Sequence, residues 1–321
     1  MPINRKRIFF ITLKVAVFIL LAIALYQQIF LERDFEAFLV QLKERWTEGN
    51  VLFLLGALFL MPVNWILESL KWKMLMQRIE PLTFTNSFRS VLSGVTFTMF
   101  TPNRIGEYAG RFLFLKKPWN PNAWLANFAG SYAQIIVTLA LGCGGAYFLL
   151  DFLLELTGKD MLVLTVLNAL AATSVFLVLA YFNSGWIIAQ LNKYLFKYFF
   201  KKYRLLKTGL PFFLLVKVLL LSVLRYNVYV LQYLLLFWFF AIPLGFVEGL
   251  QFVALIFLVQ TLIPSLALLE LGIRGNIALF FLSAYSGMEP EILSAASLIW
   301  LINLLIPAFV GYGFILVLRK K

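Results

Sequence analysis

Long apolar stretches separated by short charged segments recur from one end of the chain to the other, at residues 8–31, 50–70, 122–150, 161–182, 210–240, 249–265, 275–288 and 292–318. Most reach the roughly 20 residues that a helix needs to cross hydrocarbon. A further apolar segment at 90–101 is too short to cross, the run at 275–288 is also short, and that at 210–240 is long enough to be tilted or broken. Helices satisfy their own backbone groups in lipid, and the short alternating strands of a membrane barrel are absent from the pattern. The sequence therefore predicts an all-α fold: a polytopic transmembrane helical bundle of about eight spans, with broken or re-entrant helices, forming a single integral membrane domain over 1–321.

Polar residues interrupt this pattern at particular places. Two segments resemble each other: Thr98 to Arg111, which contains Pro102, Arg104, Gly106, Glu107 and Arg111, and Thr261 to Arg274, which contains Pro264, Glu270, Gly272 and Arg274. Each has a helix-interrupting proline, a glycine near an acid, and an arginine four residues beyond that acid, the spacing that places both charges on one helical face. They predict a re-entrant or broken segment at 90–111, a second broken segment at 261–288, and a degenerate internal repeat of the inverted kind whose two halves meet at a common cavity. Chance recurrence of Pro, Gly and Glu is the bland alternative.

Asn64, Glu68 and Lys71 fall on one helical face, as do Asn127, Ser131 and Gln134, so both stripes are expected to face protein rather than lipid. Arg225 has apolar residues on both sides. An isolated charge at membrane depth is costly. Its expected partner is Glu107, Glu270 or a substrate phosphate, with an ordinary interhelical salt bridge as the structural alternative. Trp65, Trp72, Trp119, Trp124 and Trp186 read as an aromatic belt at the membrane interfaces.

Composition agrees with membrane residence: 62% of the 321 residues are hydrophobic and only 13% are charged, against roughly 25% charged in a soluble domain. The formal charge of +13 reads as orientation rather than nucleic-acid binding, because the basic residues cluster between alternate apolar runs. Arg5, Lys6 and Arg7 precede the first run, six Lys and Arg lie at 193–207, and Arg319, Lys320 and Lys321 close the chain. This predicts cytoplasmic N- and C-termini. The segment 183–208 is then a cytoplasmic basic loop or an amphipathic helix at the interface. With no His and a single Cys143, the chain offers neither disulfides nor a thiolate or His-based metal site, and no cofactor is expected.

The segments Asn64-x3-Glu68-x2-Lys71, Thr101-Pro102-Asn103-Arg104-Ile105-Gly106-Glu107, Arg225-Tyr226-x2-Tyr229-x2-Gln232 and Leu269-Glu270-Leu271-Gly272-Ile273-Arg274 resemble the lysylphosphatidylglycerol synthase transmembrane-region family, related to the flippase-like membrane portion of bacterial multiple-peptide-resistance proteins. The resemblance implies a multi-pass protein of the bacterial cytoplasmic membrane that binds or translocates phospholipids, anionic or aminoacylated. Arg104, Glu107, Arg111, Arg225, Glu270, Arg274, Glu68 and Lys71 are the headgroup candidates, and a separate lipid-modifying enzyme is a candidate partner. The soluble aminoacyl-transfer domain of that family is not expected in this sequence, so lysyl transfer is not implied. Two other readings stay open: an enzyme acting on a lipid-linked substrate, with Glu107 or Glu270 as base, and an assembly partner whose polar groups are closed by interhelical pairs.

Overall fold

The structure, a computed structural model, describes residues 35–46, 48–101, 105–117, 120–196, 209–263 and 270–318, together with Val15 and Ile19. The expected first span, 8–31, lies almost wholly outside these residues. Among them the chain is helical: α1 (Phe35–Glu44), α2 (Glu48–Met76), α3 (Phe84–Thr98), α4 (Gly106–Phe112), α5 (Pro121–Phe148), α6 (Leu150–Thr157), α7 (Asp160–Phe182), α8 (Ser184–Leu191), α9 (Phe212–Phe239), α10 (Phe246–Leu262), α11 (Glu270–Ser286), α12 (Glu289–Trp300) and α13 (Ile306–Val317). A π-helical turn over Leu301–Leu305 joins α12 to α13, and another, Asn192–Phe196, extends α8. Residues 183–208 therefore begin as helix, while 197–208 lie outside the described residues.

Local chemistry sets several boundaries. The Thr83 hydroxyl accepts from Asn86 N–H at the start of α3, and the Asn120 side chain caps α5 just before Pro121. Both satisfy donors that have no partner within the first turn. Gly158 ends α6 in the left-handed conformation, which a residue without a Cβ adopts at little cost.

Five helices are long and apolar enough to cross a membrane: Gly49–Met76, Pro121–Phe148, Asp160–Phe182, Phe212–Phe239 and Glu289–Val317. The expectation of about eight spans is therefore corrected to five among the described residues. The apolar runs at 249–265 and 275–288 form α10 and α11, each of 17 residues, or about 25 Å of helix at 1.5 Å per residue, short of a roughly 30 Å hydrocarbon layer. α10 owes its apolarity to packing, since Phe252 through Leu258 are all buried. A helix apolar all round can be core as readily as span. The run at 210–240 is continuous as α9 rather than broken.

The expected internal repeat is absent from the described residues, and the two segments differ in kind. The first forms the seven-residue α4, pressed so closely on α3 that a Cβ on Gly110 would stand 2.2 Å from the Ser93 carbonyl oxygen. The second opens the 17-residue α11, where Gly272 has no atom within 4 Å of such a Cβ. α4 packs on α3, whereas α11 packs on α10 and α12. Similar letters thus serve close approach in one place and not in the other.

α2 and α9 form the largest helix–helix interface, with α10 against α5 and α13 against α3 around them. Two apolar cores result: one around Tyr233, Phe237, Phe252 and Ile292, the other around Trp72, Val91, Phe112 and Trp300. Ser93 and Thr96 donate to the carbonyls of Gly311 and Ala308 at 3.3 and 2.7 Å, holding α3 to α13.

Candidate functional site

The stripe Asn64, Glu68 and Lys71 occupies the inward face of α2, with each residue 4% exposed or less. Its helical spacing accounts for this shared face. Three cations converge on the Glu68 carboxylate. Lys71 Nζ, from the same helix, lies 2.7 Å from Oε2; Arg111 Nη2, from α4, lies 2.6 Å from Oε1; and Arg225 Nη1, from α9, lies 2.9 Å from Oε2. Arg111 is also paired with Glu107, four residues earlier on α4.

Each cation has another support. Lys71 Nζ donates to the Gly130 carbonyl on α5 at 3.2 Å. Arg225 Nε donates to Asn64 Oδ1 at 2.8 Å, and Asn64 Nδ2 donates to Asn303 Oδ1 at 3.2 Å. The guanidinium groups of Arg111 and Arg225 lie over the Trp72 and Trp65 rings, at 5.1 and 5.2 Å from their centroids. Planar guanidinium groups suit such stacking, and the ring faces attract the cation. Trp72 Nε1 donates to Ser90 Oγ at 3.1 Å, and Ser90 Oγ donates to the Arg111 carbonyl at 2.8 Å, tying α4 to α2 through α3.

The Glu107–Arg111 pairing follows from the local spacing seen in the sequence, but the partner of Arg225 does not. That partner is Glu68, not the expected Glu107, and the Glu270 side chain lies outside the described residues. Trp65 and Trp72 are also displaced from their expected belt positions: they are 6% and 0% exposed and form the walls of the ionic cluster. Trp65 stands three residues before Glu68 and Trp72 four after it, but this spacing carries no sign of their use, because periodicity does not say which helix lies opposite. The sequence signal that bears on this site is the polar stripe Asn64, Glu68 and Lys71 on α2 itself.

Arg274 donates to the Tyr229 hydroxyl on α9, one helical turn beyond Arg225, and its guanidinium also faces the Tyr229 ring at 5.7 Å. This brings α11 to the same helix that carries Arg225. Arg104 lies outside the described residues, as does the Glu270 side chain. Of the eight expected site residues, Glu68, Lys71, Glu107, Arg111 and Arg225 form one cluster, and Arg274 lies on a neighbouring contact of α9.

Trp65, Glu68, Val95, Thr98, Glu107, Arg111, Arg225 and Leu304 line a recess at this cluster. Counted as space open to the centre of a water molecule, its volume is about 20 Å³, enough for a water. A whole phospholipid headgroup does not fit into that space as it stands. The side chains of Glu107 and Arg225 are 18% and 14% exposed, against 5% or less for Glu68, Lys71 and Arg111, so the first two form the accessible edge. Arg111 Nε and Trp65 Nε1 are buried donors without a hydrogen-bond partner among the described residues. Such donors are costly to leave unpaired. Among the described residues, no group of three His, Cys, Asp or Glu could hold a metal ion.

The arrangement provides three preorganised cations, two carboxylates and spare N–H donors, which is chemistry suited to an anion of oxygen acceptors. A family model described as the lysylphosphatidylglycerol synthase TM region matches residues 10–311. No curated protein matches the chain.

Proposed function

We infer, from the premise that this chain belongs to the lysylphosphatidylglycerol synthase TM region family, that it is a flippase-like, phospholipid-handling membrane protein. Its five long apolar helices make it multi-pass. The finer reading is that the Glu68–Arg111–Arg225 cluster receives the lipid phosphate while the acyl chains stay in the bilayer. The observation supporting this is the recess edged by Arg225 and lined by Trp65 and Arg111, which carry two buried donors without a partner among the described residues. Arg225 meets an entering phosphate first, and Arg111 completes a paired grip. Glu107, at the same edge, attracts an amino group on the headgroup or orients the guanidinium of Arg111.

On this reading the membrane region handles lipid that a lipid-modifying enzyme has produced, and carries out no lysyl transfer in its helical bundle. It resides in a bacterial cytoplasmic membrane with both termini inside, in keeping with the basic clusters at 5–7, 193–207 and 319–321. A second reading, an ionic hub that closes the bundle for assembly with a partner, is favoured by the small size of the recess.

Reconstitution into vesicles containing fluorescent anionic and aminoacylated phospholipids separates the two. Transport requires the wild type to speed transbilayer movement over empty vesicles and Arg225→Ala to abolish the gain. Equal rates in all three preparations exclude transport, and co-purification with one fixed membrane partner would then support the hub.

A further inference from the structure

The charges of the cluster do not sum to zero. Glu68 and Glu107 supply two negative charges, and Lys71, Arg111 and Arg225 supply three positive ones. Lys71 lies three residues beyond Glu68 on α2, and Arg111 four beyond Glu107 on α4, so each carboxylate has a cation on its own helix. Arg225 comes from α9, which contributes no carboxylate to the cluster. Its sole carboxylate contact among the described residues is the one it shares at Glu68.

We propose that Glu68 is an internal stand-in for the lipid phosphate, latching α2, α4 and α9 together through Arg111 and Arg225 until a phosphodiester monoanion takes those two guanidiniums and releases the latch. This rests on the reading of the cluster as a phosphate site. The exchange brings the cluster to neutrality: Glu68 keeps Lys71, Glu107 keeps Arg111 as a partner, and the entering single negative charge offsets Arg225. No carboxylate need be left alone in a low-dielectric interior, which is the costly outcome.

Each guanidinium has a support besides Glu68. Arg225 is anchored by Asn64 Oδ1 at 2.8 Å and by the Trp65 ring, and Arg111 by Glu107 and the Trp72 ring. Glu68 is therefore one support among several, and its exchange for a phosphate leaves each guanidinium with a partner. The recess has room for a water but not for a headgroup while the latch is closed, so entry of a phosphate requires this ionic cross-link to give way. α2 and α9 share the largest interface in the described fold, and releasing the latch removes the ionic part of that junction.

The test uses the full chain in detergent with Cys143→Ala and nitroxide labels on cysteines replacing the exposed Ala109 of α4 and Leu224 of α9. Distances are read by pulsed electron resonance and binding by calorimetry, with dihexanoylphosphatidylglycerol as the anionic probe and dihexanoylglycerol as its phosphate-free control. The phosphate lipid is expected to lengthen the label distance by about 2 Å or more, the scale of helix shifts at switching interfaces; the control is expected to leave it unchanged. Glu68→Gln is expected to show the longer distance without lipid. Glu68→Asp, which keeps the charge and shortens its reach, shows part of that lengthening and serves in its place if the amide variant does not fold. Binding of the phosphate lipid with no change in distance overturns the latch and leaves the phosphate site standing. Absence of binding to the wild type overturns the phosphate site, and the latch with it.

Discussion

Arg225 Nη1 and Glu68 Oε2 stand 2.9 Å apart although 157 residues separate them in the chain. This contact fastens α9 to α2 and places a guanidinium at the edge of the recess. Neither group would be stable alone at this depth, since Arg225 lies thirteen residues into α9, or about 20 Å along its axis. The pairing turns two costly residues into one cluster, and it allows their roles to be tested separately.

Arg225→Ala is expected to lower protein-dependent lipid movement at least about tenfold, the factor that corresponds to 1.4 kcal/mol. Arg225→Lys should restore part of it, because an ammonium supplies charge without the paired donors of a guanidinium. The vesicle assay with fluorescent anionic phospholipid measures both. A lysine variant as fast as the wild type would remove the requirement for a planar grip.

Glu68→Leu should destabilise the protein much more than Arg225→Ala. It leaves Lys71, Arg111 and Arg225 facing one another with their common anion gone, and breaking a buried ionic group by deleting one member costs about 3–5 kcal/mol. Arg225→Ala leaves Glu68 with two cations. Thermal unfolding of the detergent-purified variants tests the order.

Gly110→Ala and Gly311→Ala should each destabilise the protein by about 1–3 kcal/mol, as overpacking of a tight contact does. Their added Cβ atoms would lie 2.2 Å from the Ser93 carbonyl oxygen and 2.0 Å from that of Leu92. Gly144→Ala meets nothing within 4 Å and should be neutral or stabilising by up to about 1 kcal/mol through better helix propensity. Unfolding midpoints of the three variants provide the comparison.

Tyr229→Phe should loosen α11 from α9 by removing the hydroxyl that accepts from Arg274. A hydrogen bond to a charged group is worth about 1.5–3 kcal/mol. The expected outcomes are a lower unfolding midpoint and faster hydrogen exchange in α11, with the Glu68 cluster intact. Exchange unchanged in α11 would show that its packing on α10 and α12 suffices.

Hydropathy and helical spacing were enough to establish a helical membrane protein, the inward stripe Asn64–Glu68–Lys71 and the local pair Glu107–Arg111. These properties belong to one helix at a time. A period of about 3.6 residues states which side chains share a face, and an ion pair at four-residue spacing closes without help from the rest of the chain.

What the tertiary structure alone decided was which faces meet. Apolar residues read alike whether they face lipid or protein, so the buried α10 resembled a span in the sequence. Trp65 and Trp72 likewise resembled interface anchors until α9 and α4 brought guanidiniums over their rings. Glu68 became the centre because Arg111 and Arg225 arrive from helices 43 and 157 residues away. No local periodicity encodes that convergence; it follows from packing, which places charges together because the surrounding apolar phase cannot solvate them apart.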